Sequence, residues 1–436
     1  MKKLINFLSS CSCIFFLLFT SSAGASDMAS PAPAPDAVYS TRDNLTGDWG
    51  GVRTDWHDAG VDIGLNYTAE PAALVSGGYQ YDSTYLHNIN AELKLDLAKL
   101  ISIKNTTFLA KYSSRDGDNL SEEYVVPGSA ENGRYIYGEY FNKSQEAFGG
   151  QTTKLVNFQL TTQFDQFTFD YGRLVMNDLF LRSDLYCNFM NNGICGSPKG
   201  VFTPYALSAY PDATVGAHVK WQTGEMVDLK LGVFDGGWTK QNSDGWDWSM
   251  GRNGVAVTGE VQIYFDRGAG GGAQKVLKFG ANHHTGEFKN FKTGELTDDN
   301  TSLWFLVDWI LFREQDSASQ GLALLGSIVY DTDDEIAGLP TSYTLGFVYE
   351  GLIPGRDRDK LGLMAIVAEH SDYNTYTHDY VAGKERGTET VWELTYNFIL
   401  PYGIQFMPDV QYITNPNGSK DFDDVLVVGT KLSVTF

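Results

Sequence analysis

"VWELTYNFILPYGIQFMPDVQYI" at 391–413 reads as two strands folded about one turn. On the first, Trp392, Leu394, Tyr396 and Phe398 share one face, and Glu393, Thr395 and Asn397 share the other. Beyond Leu400-Pro401, Ile404, Phe406, Val410 and Tyr412 oppose Gln405, Asp409 and Gln411. A repeat of two places successive side chains on opposite faces of a strand, so the two faces meet different surroundings. One is aromatic and apolar; the other carries carboxylates and amides, which require water or partners. The pattern recurs in "LHNINAELKLDLA" (86–98), in "VNFQLTTQF" (156–164), and in "DVLVVGTKLSVTF", which runs to the last residue. There Leu426, Val428, Thr430, Leu432, Val434 and Phe436 fall opposite Val427, Gly429, Lys431, Ser433 and Thr435. A strand reaching Phe436 needs a partner along its whole length.

Working outward, sixteen such segments are expected, at 61–75, 85–97, 101–114, 152–164, 167–178, 212–223, 226–235, 254–266, 274–284, 301–313, 320–330, 341–350, 359–369, 388–399, 402–412 and 425–436. The connections alternate between tight turns, such as "DQ", "TGE" and "LP", and long stretches, such as 115–151, 179–211 and 236–253. That parity belongs to a transmembrane antiparallel β-barrel, all-β, with short periplasmic turns and long extracellular loops. Greek-key sandwiches have no reason to keep it. Hydrocarbon offers the backbone no hydrogen bonds, so a spanning sheet closes on itself. At about sixteen strands a barrel is wide enough for an aqueous channel. Two segments need further explanation. In 301–313 both faces are apolar apart from Asp308, so loop packing covers the inner side or the register differs. The stretch 179–211, rich in Cys, Pro and Gly, is expected to fold over or into the pore.

Composition agrees with this class. The chain has 46 glycines, 26 phenylalanines and 24 tyrosines, with a net charge of −22 and no basic cluster, which argues against nucleic acid. Lys2, Lys3, "CIFFLLF" and Ala23-Gly24-Ala25 form a secretory signal peptide, with cleavage expected after Ala25. A Pro/Ala-rich linker follows at 26–44, then a short periplasmic helical segment at 45–60, where Arg53 and His57 share a face, and the barrel at 61–436. The exported chain keeps Cys187 and Cys195, read as a disulfide pinning a loop. "LWFLVDWILF" is too short for a membrane helix and is interrupted by Asp308.

"LTGDWGGVRTDWHDAGVDIGLNYTAEPAALVSGG" (45–78) resembles the opening of carbohydrate-selective outer-membrane porins of the OprB type. "YGRLVMNDLF…YCNFMNNGICG" and "PDVQYITNPNG" (408–418) are similar to later blocks of that family, the first departing at "LVMNDLF", where a glycine- and acid-rich turn is expected. The resemblance implies a sixteen-stranded monomeric barrel in the bacterial outer membrane that admits glucose-like monosaccharides and ions. It also implies that the barrel assembly machinery reads Phe436. A trimer contact would use part of the apolar outer face, which lies against outer-membrane lipid.

A sugar pore performs no chemistry; it needs a constriction with hydroxyl-directed hydrogen bonds and weak binding. Strand parity offers Glu70, Lys94, Lys111, Lys220, Glu393 and Asp409 as inward charges, with Glu70 singled out by the first matched block. Arg173 lies in a matched block, although alternation groups it with outward Phe169 and Tyr171. Arg182 is on the loop expected to enter the pore. Trp238, Trp246 and Trp248 are candidates for sugar stacking at the mouth, weighed against packing of their own loop or the lipid interface. Neither a cofactor nor a metal is expected: "DTDDEIAGLPTS" starts like a calcium loop but has Ile336 and Ser342 where glycine and glutamate belong. The rivals are a general or ion-selective porin, an outer-membrane hydrolase, for which no GxSxG motif appears, and an adhesion barrel.

Overall fold

The computed structural model describes residues 43–126, 142–146, 151–202, 206–240, 244–267, 274–315, 317, 319–374, 386–420 and 422–436. The signal peptide and most of the linker lie outside the described residues. Sixteen strands form one closed antiparallel barrel in which each pairs with its neighbours in sequence and β1 pairs with β16. They are β1 (Val61–Ser76), β2 (Ser83–Asp96), β3 (Thr106–Gly117), β4 (Thr152–Phe164), β5 (Phe167–Leu174), β6 (Thr214–Gln222), β7 (Val227–Asp235) and β8 (Val255–Asp266). Then come β9 (Lys275–Lys289), β10 (Leu296–Arg313), β11 (Gly321–Asp331), β12 (Thr341–Glu350), β13 (Lys360–Glu369), β14 (Thr388–Leu400), β15 (Ile404–Thr414) and β16 (Val425–Thr435).

The terminal strand is the seam. Tyr67 pairs with Val434 and Asn66 with Thr435, so neither β1 nor β16 has a free edge. Around the short-turn rim, "VRTDWHDA" forms a helix (Val52–Ala59) whose buried Arg53 donates to the Phe436 carbonyl oxygen at 2.6 Å, and to those of Gly47 and Ile63. Gly403, in the turn after β14, adopts a φ of 68° that disfavours a side chain, and any Cβ there would meet the Asp43 carbonyl at 2.6 Å.

Some boundaries differ from the sequence reading. The Asp96 side chain accepts from the amides of Ala98 and Lys99, capping a short helix (Leu97–Ile101), so β3 starts at Thr106 rather than 101. β5 ends at Leu174 instead of 178, because the chain turns inward there and forms a short helix (Met176–Leu179). β9 and β10 extend to a connection of only six residues, 290–295, where a long loop was expected.

The interior is filled rather than open at the long-loop end. From the β5–β6 connection, Phe180, Leu181, Tyr186, Phe189, Met190 and Ile194 are all wholly buried. They pack against inward Leu306, Leu325, Met364, Ile366 and Met407 of the wall, and residues 120–126 join the same cluster. This explains the two-faced β10: Trp304 and Leu306 point inward and are covered by the loop, while inward Ile310 lies beyond it. At roughly 25 cal/mol per Å2 of apolar surface, such burial holds the loop in place far more strongly than any single polar contact.

Candidate functional site

Polar groups on the wall fix the inserted β5–β6 loop by its backbone. The Lys230 ammonium donates to the Leu179 carbonyl at 2.7 Å, Lys278 to that of Arg182 at 2.6 Å, and Thr395 to that of Asn188 at 2.7 Å. Carboxylates take the amides: Glu260 accepts from Leu181 at 2.9 Å, and Glu393 accepts from Met190 and Asn191. Asp308 accepts from the Ser183 hydroxyl at 2.5 Å. Backbone groups that would otherwise be stranded away from water are thereby satisfied. Cys187 and Cys195 are joined by a disulfide with a Cα–Cα distance of 4.5 Å, closing the tip. Burial pushes the Tyr186 hydroxyl well above the usual phenol range, so this loop side chain stays neutral.

A second segment, 142–146, enters from the β3–β4 connection. Gln145 donates to the Glu70 carbonyl at 2.5 Å, and Asn142 donates to Glu389 at 2.7 Å. The Glu146 carboxylate meets Lys431 of β16 at 2.8 Å. Burial disfavours the charge on Glu146, but Lys431, followed by Arg115, outweighs it and holds the carboxyl below its ordinary range.

Beneath the folded loop, toward the short-turn rim, lies a cavity of about 370 Å3. Its wall charges are compensated: Lys278–Asp308 at 2.9 Å and Lys360–Glu350 at 3.5 Å both line it, while lining Lys230 and Lys220 pair with the covered carboxylates Glu260 at 3.2 Å and Asp228 at 3.1 Å behind them. Its ceiling is the loop itself, with Leu179, Leu185 and the Arg182 side chain, which sits between Asp178 at 3.9 Å and Asp184 at 3.8 Å. Compensated charges thus line a cavity that the inserted loop roofs.

Comparison with known proteins agrees with that geometry. Residues 80–436 match the model of the carbohydrate-selective porin, OprB family. The chain belongs to this family. Porin B of Pseudomonas aeruginosa is similar at 25% identity, covering 97% of each chain, and the putative porin QuiX of Acinetobacter baylyi at 26%, covering 92% of this chain and 95% of the other. The solved structure of Pseudomonas putida OprB at high pH has the same fold, with a TM-score of 0.81 and 22% identity over 91% of this chain and 99% of that one. The match begins at residue 80, so the opening block 45–78 precedes it and the two later blocks fall inside. The chain is therefore a carbohydrate-selective porin of the outer membrane.

This porin divides the sequence-derived candidates by location. Lys94, Lys111 and Lys220 face the lumen. Lys94 is exposed, Lys111 pairs with Glu92 at 3.4 Å, and Lys220 lines the vestibule with Arg182. Glu70, Glu393 and Asp409 also point inward but do not contact open water: each is at most 1% exposed, beneath the inserted segments. Parity alone cannot tell a wet wall from a covered one. Arg173 does not line the lumen. It pairs across the sheet with outward Phe158 and lies buried beneath residues 244–252, its guanidinium donating to the Asp247 carbonyl at 3.3 Å. Trp248 meets Phe158 edge-on at 5.6 Å, which places it on the outer side of the wall. Trp246 belongs to the same segment, while Trp238 is half-buried at the start of that loop. The sequence reading missed Asp308 and Lys278 as vestibule charges. The lone Asp308 in an apolar strand was the available signal.

Proposed function

We propose that this porin passes small neutral carbohydrates, glucose-like monosaccharides foremost, by passive diffusion, with discrimination set where the β5–β6 loop overhangs the vestibule. The observation carrying this reading is the pairing of the wall charges. A sugar hydroxyl can donate to Asp308 and accept from Lys230 or Lys278, all of which line the cavity, exchanging partners as it advances. Because each lysine already has a carboxylate, a passing ion meets both signs and gains little from either. Leu185 and Ile310 offer apolar surface to the carbon face of a ring. Arg182, with its side chain about 55% exposed, is the donor we assign to first contact below the constriction. Lys94, Lys111 and Lys220 are assigned to the path leading to it.

The same reading includes transit with no chemical step. It has export by a signal peptide removed after Ala25, the 26–44 linker, the 45–60 segment as a periplasmic cap on the 61–436 barrel, and recognition of Phe436 by the assembly machinery. It has a monomer as the working unit. In planar bilayers the purified protein should carry an ion current that millimolar glucose reduces in a saturable way. Arg182→Gln should raise the half-blocking concentration with little change in open-channel current. An ion current indifferent to sugars would favour a general porin.

A further inference from the structure

The segment that carries Trp246 and Trp248 lies beside the shortest strands of the barrel. β5 contains eight residues, and β6 and β7 contain nine each, whereas β9 has 15 and β10 has 18. At a rise of about 3.3 Å per residue and a tilt of about 45°, eight or nine residues climb roughly 19–21 Å. The apolar band of an outer-membrane barrel is about 25 Å tall. On this side the wall is therefore short by roughly 4–6 Å. The notch is visible in the register: the last β4–β5 pair is Phe158 with Arg173, which leaves residues 152–157 of β4 above it without a β5 partner.

The β7–β8 connection fills the notch from outside. The Leu155 amide donates to the Asp244 carbonyl at 2.9 Å, restoring a ladder bond that β5 is too short to make. Leu155 pairs with outward Tyr112, yet it is only 4% exposed because this segment covers it. At Gly245 a Cβ would fall 2.0 Å from the Leu155 carbonyl, so the close approach requires glycine. Trp248 then lies on Phe158, while Trp246 and Met250 project outward at 57% and 63% exposure. Exposed Val233 and Val257 on the adjoining strands continue the apolar surface.

We propose that residues 244–250 form a wall patch that completes the hydrophobic band and seats Trp246, Trp248 and Met250 in the interfacial region of the outer leaflet. The partner is lipid. Continuity with the lipid-facing band and the missing wall height both require an apolar surface facing hydrocarbon, and indole rings suit the headgroup boundary. The proposal rests on the outer-membrane reading of the barrel, which the control labels in the experiment test separately.

The test is spin-label accessibility in proteoliposomes. Nitroxides are placed singly at Met250→Cys, at Leu231→Cys on the outward face of β7, and at Asp334→Cys on the long-loop rim. If Leu231 is oxygen-accessible and Asp334 is nickel-accessible, the barrel spans as described. The Met250 label should then show lost collisions with an aqueous nickel chelate and retained collisions with oxygen, unchanged by glucose. Nickel accessibility equal to that at Asp334, protection by glucose, or spin–spin broadening relieved by unlabelled protein would each overturn the proposal, in favour of a solvated loop, a sugar mouth or a contact between copies. If the variant does not fold, brominated phospholipid supplies an independent measure. It should quench less emission in Trp246→Phe/Trp248→Phe than in the unaltered protein, and equal quenching would refute the assignment.

Discussion

Replacing Glu393 with alanine should loosen the tip of the pore loop without opening the barrel. Its carboxylate, about 1% exposed, accepts from the amides of Met190 and Asn191. An unsatisfied buried amide costs about 1–3 kcal/mol, so losing both acceptor contacts should cost about 2–4 kcal/mol after some local relaxation. Neighbouring attachments remain: Thr395 donates to the Asn188 carbonyl, and the Asn191 side-chain amide donates to Gln411 Oε1 at 2.9 Å. The loss therefore falls on local opening rather than on the fold. At about 1.4 kcal/mol per tenfold, it corresponds to roughly 30- to 700-fold faster exchange at those two amides. Glu393→Gln keeps one carbonyl acceptor and should give an intermediate effect. Hydrogen exchange read by mass spectrometry on the 186–196 peptide, with barrel strands as the internal reference, is the assay. Unchanged protection there, or protection lost equally throughout the strands, would refute the idea that Glu393 acts as a local pin.

Arg53→Ala removes the charge-assisted bond to Phe436 and the ring contact with Trp49, and should destabilise the seam by about 2–4 kcal/mol in urea unfolding from bilayers. Deleting Phe436 should cut outer-membrane yield far more than it alters transport by the molecules that fold, as measured by surface labelling against sugar flux. The Glu146–Lys431 pair gives a pH dependence of known sign. A carboxyl held below its ordinary value adds stability that is complete above about pH 4.3 and is lost as pH falls through the depressed value. Exchange within 142–146 should therefore be flat around neutrality and rise on strong acidification, and Glu146→Gln should abolish that rise. Non-reduced peptide mapping should recover 187 and 195 as one linked pair.

The barrel was legible because two-residue alternation is written into each strand independently, and the parity of turns and loops then orders them. The short helix at 97–101 was not. "AKL" reads as a bare turn between strands at 85–97 and 101–114, and it is the Asp96 cap that winds Leu97–Ile101 into a helix. The position of the pore loop was half legible. A strand apolar on both faces, such as β10, needs a cover, and the Cys-rich stretch was the available one. What lay beneath that cover was not legible: Glu70, Glu393 and Asp409 share the parity of the open-lumen lysines, and only the folded chain separates pinning groups from lining groups. Loop residues carry no period at all, so nothing local showed that Trp248 lies outside the wall. The readable clue was length, since β5 was expected to reach 178 and stops at 174. Arg173 illustrates the same point from the other direction. Alternation placed it outward, and the burial that makes this tolerable comes from a loop more than 70 residues away in sequence.

The central claim is selective passive passage of small sugars beneath a fixed loop, and liposome swelling tests it most directly. Proteoliposomes should swell in isosmotic glucose and other monosaccharides, more slowly in disaccharides, and with little rate in amino acids or organic anions of similar size. Folded protein that supports no swelling in any sugar, or equal swelling for all solutes of one size whatever their charge, would contradict the account.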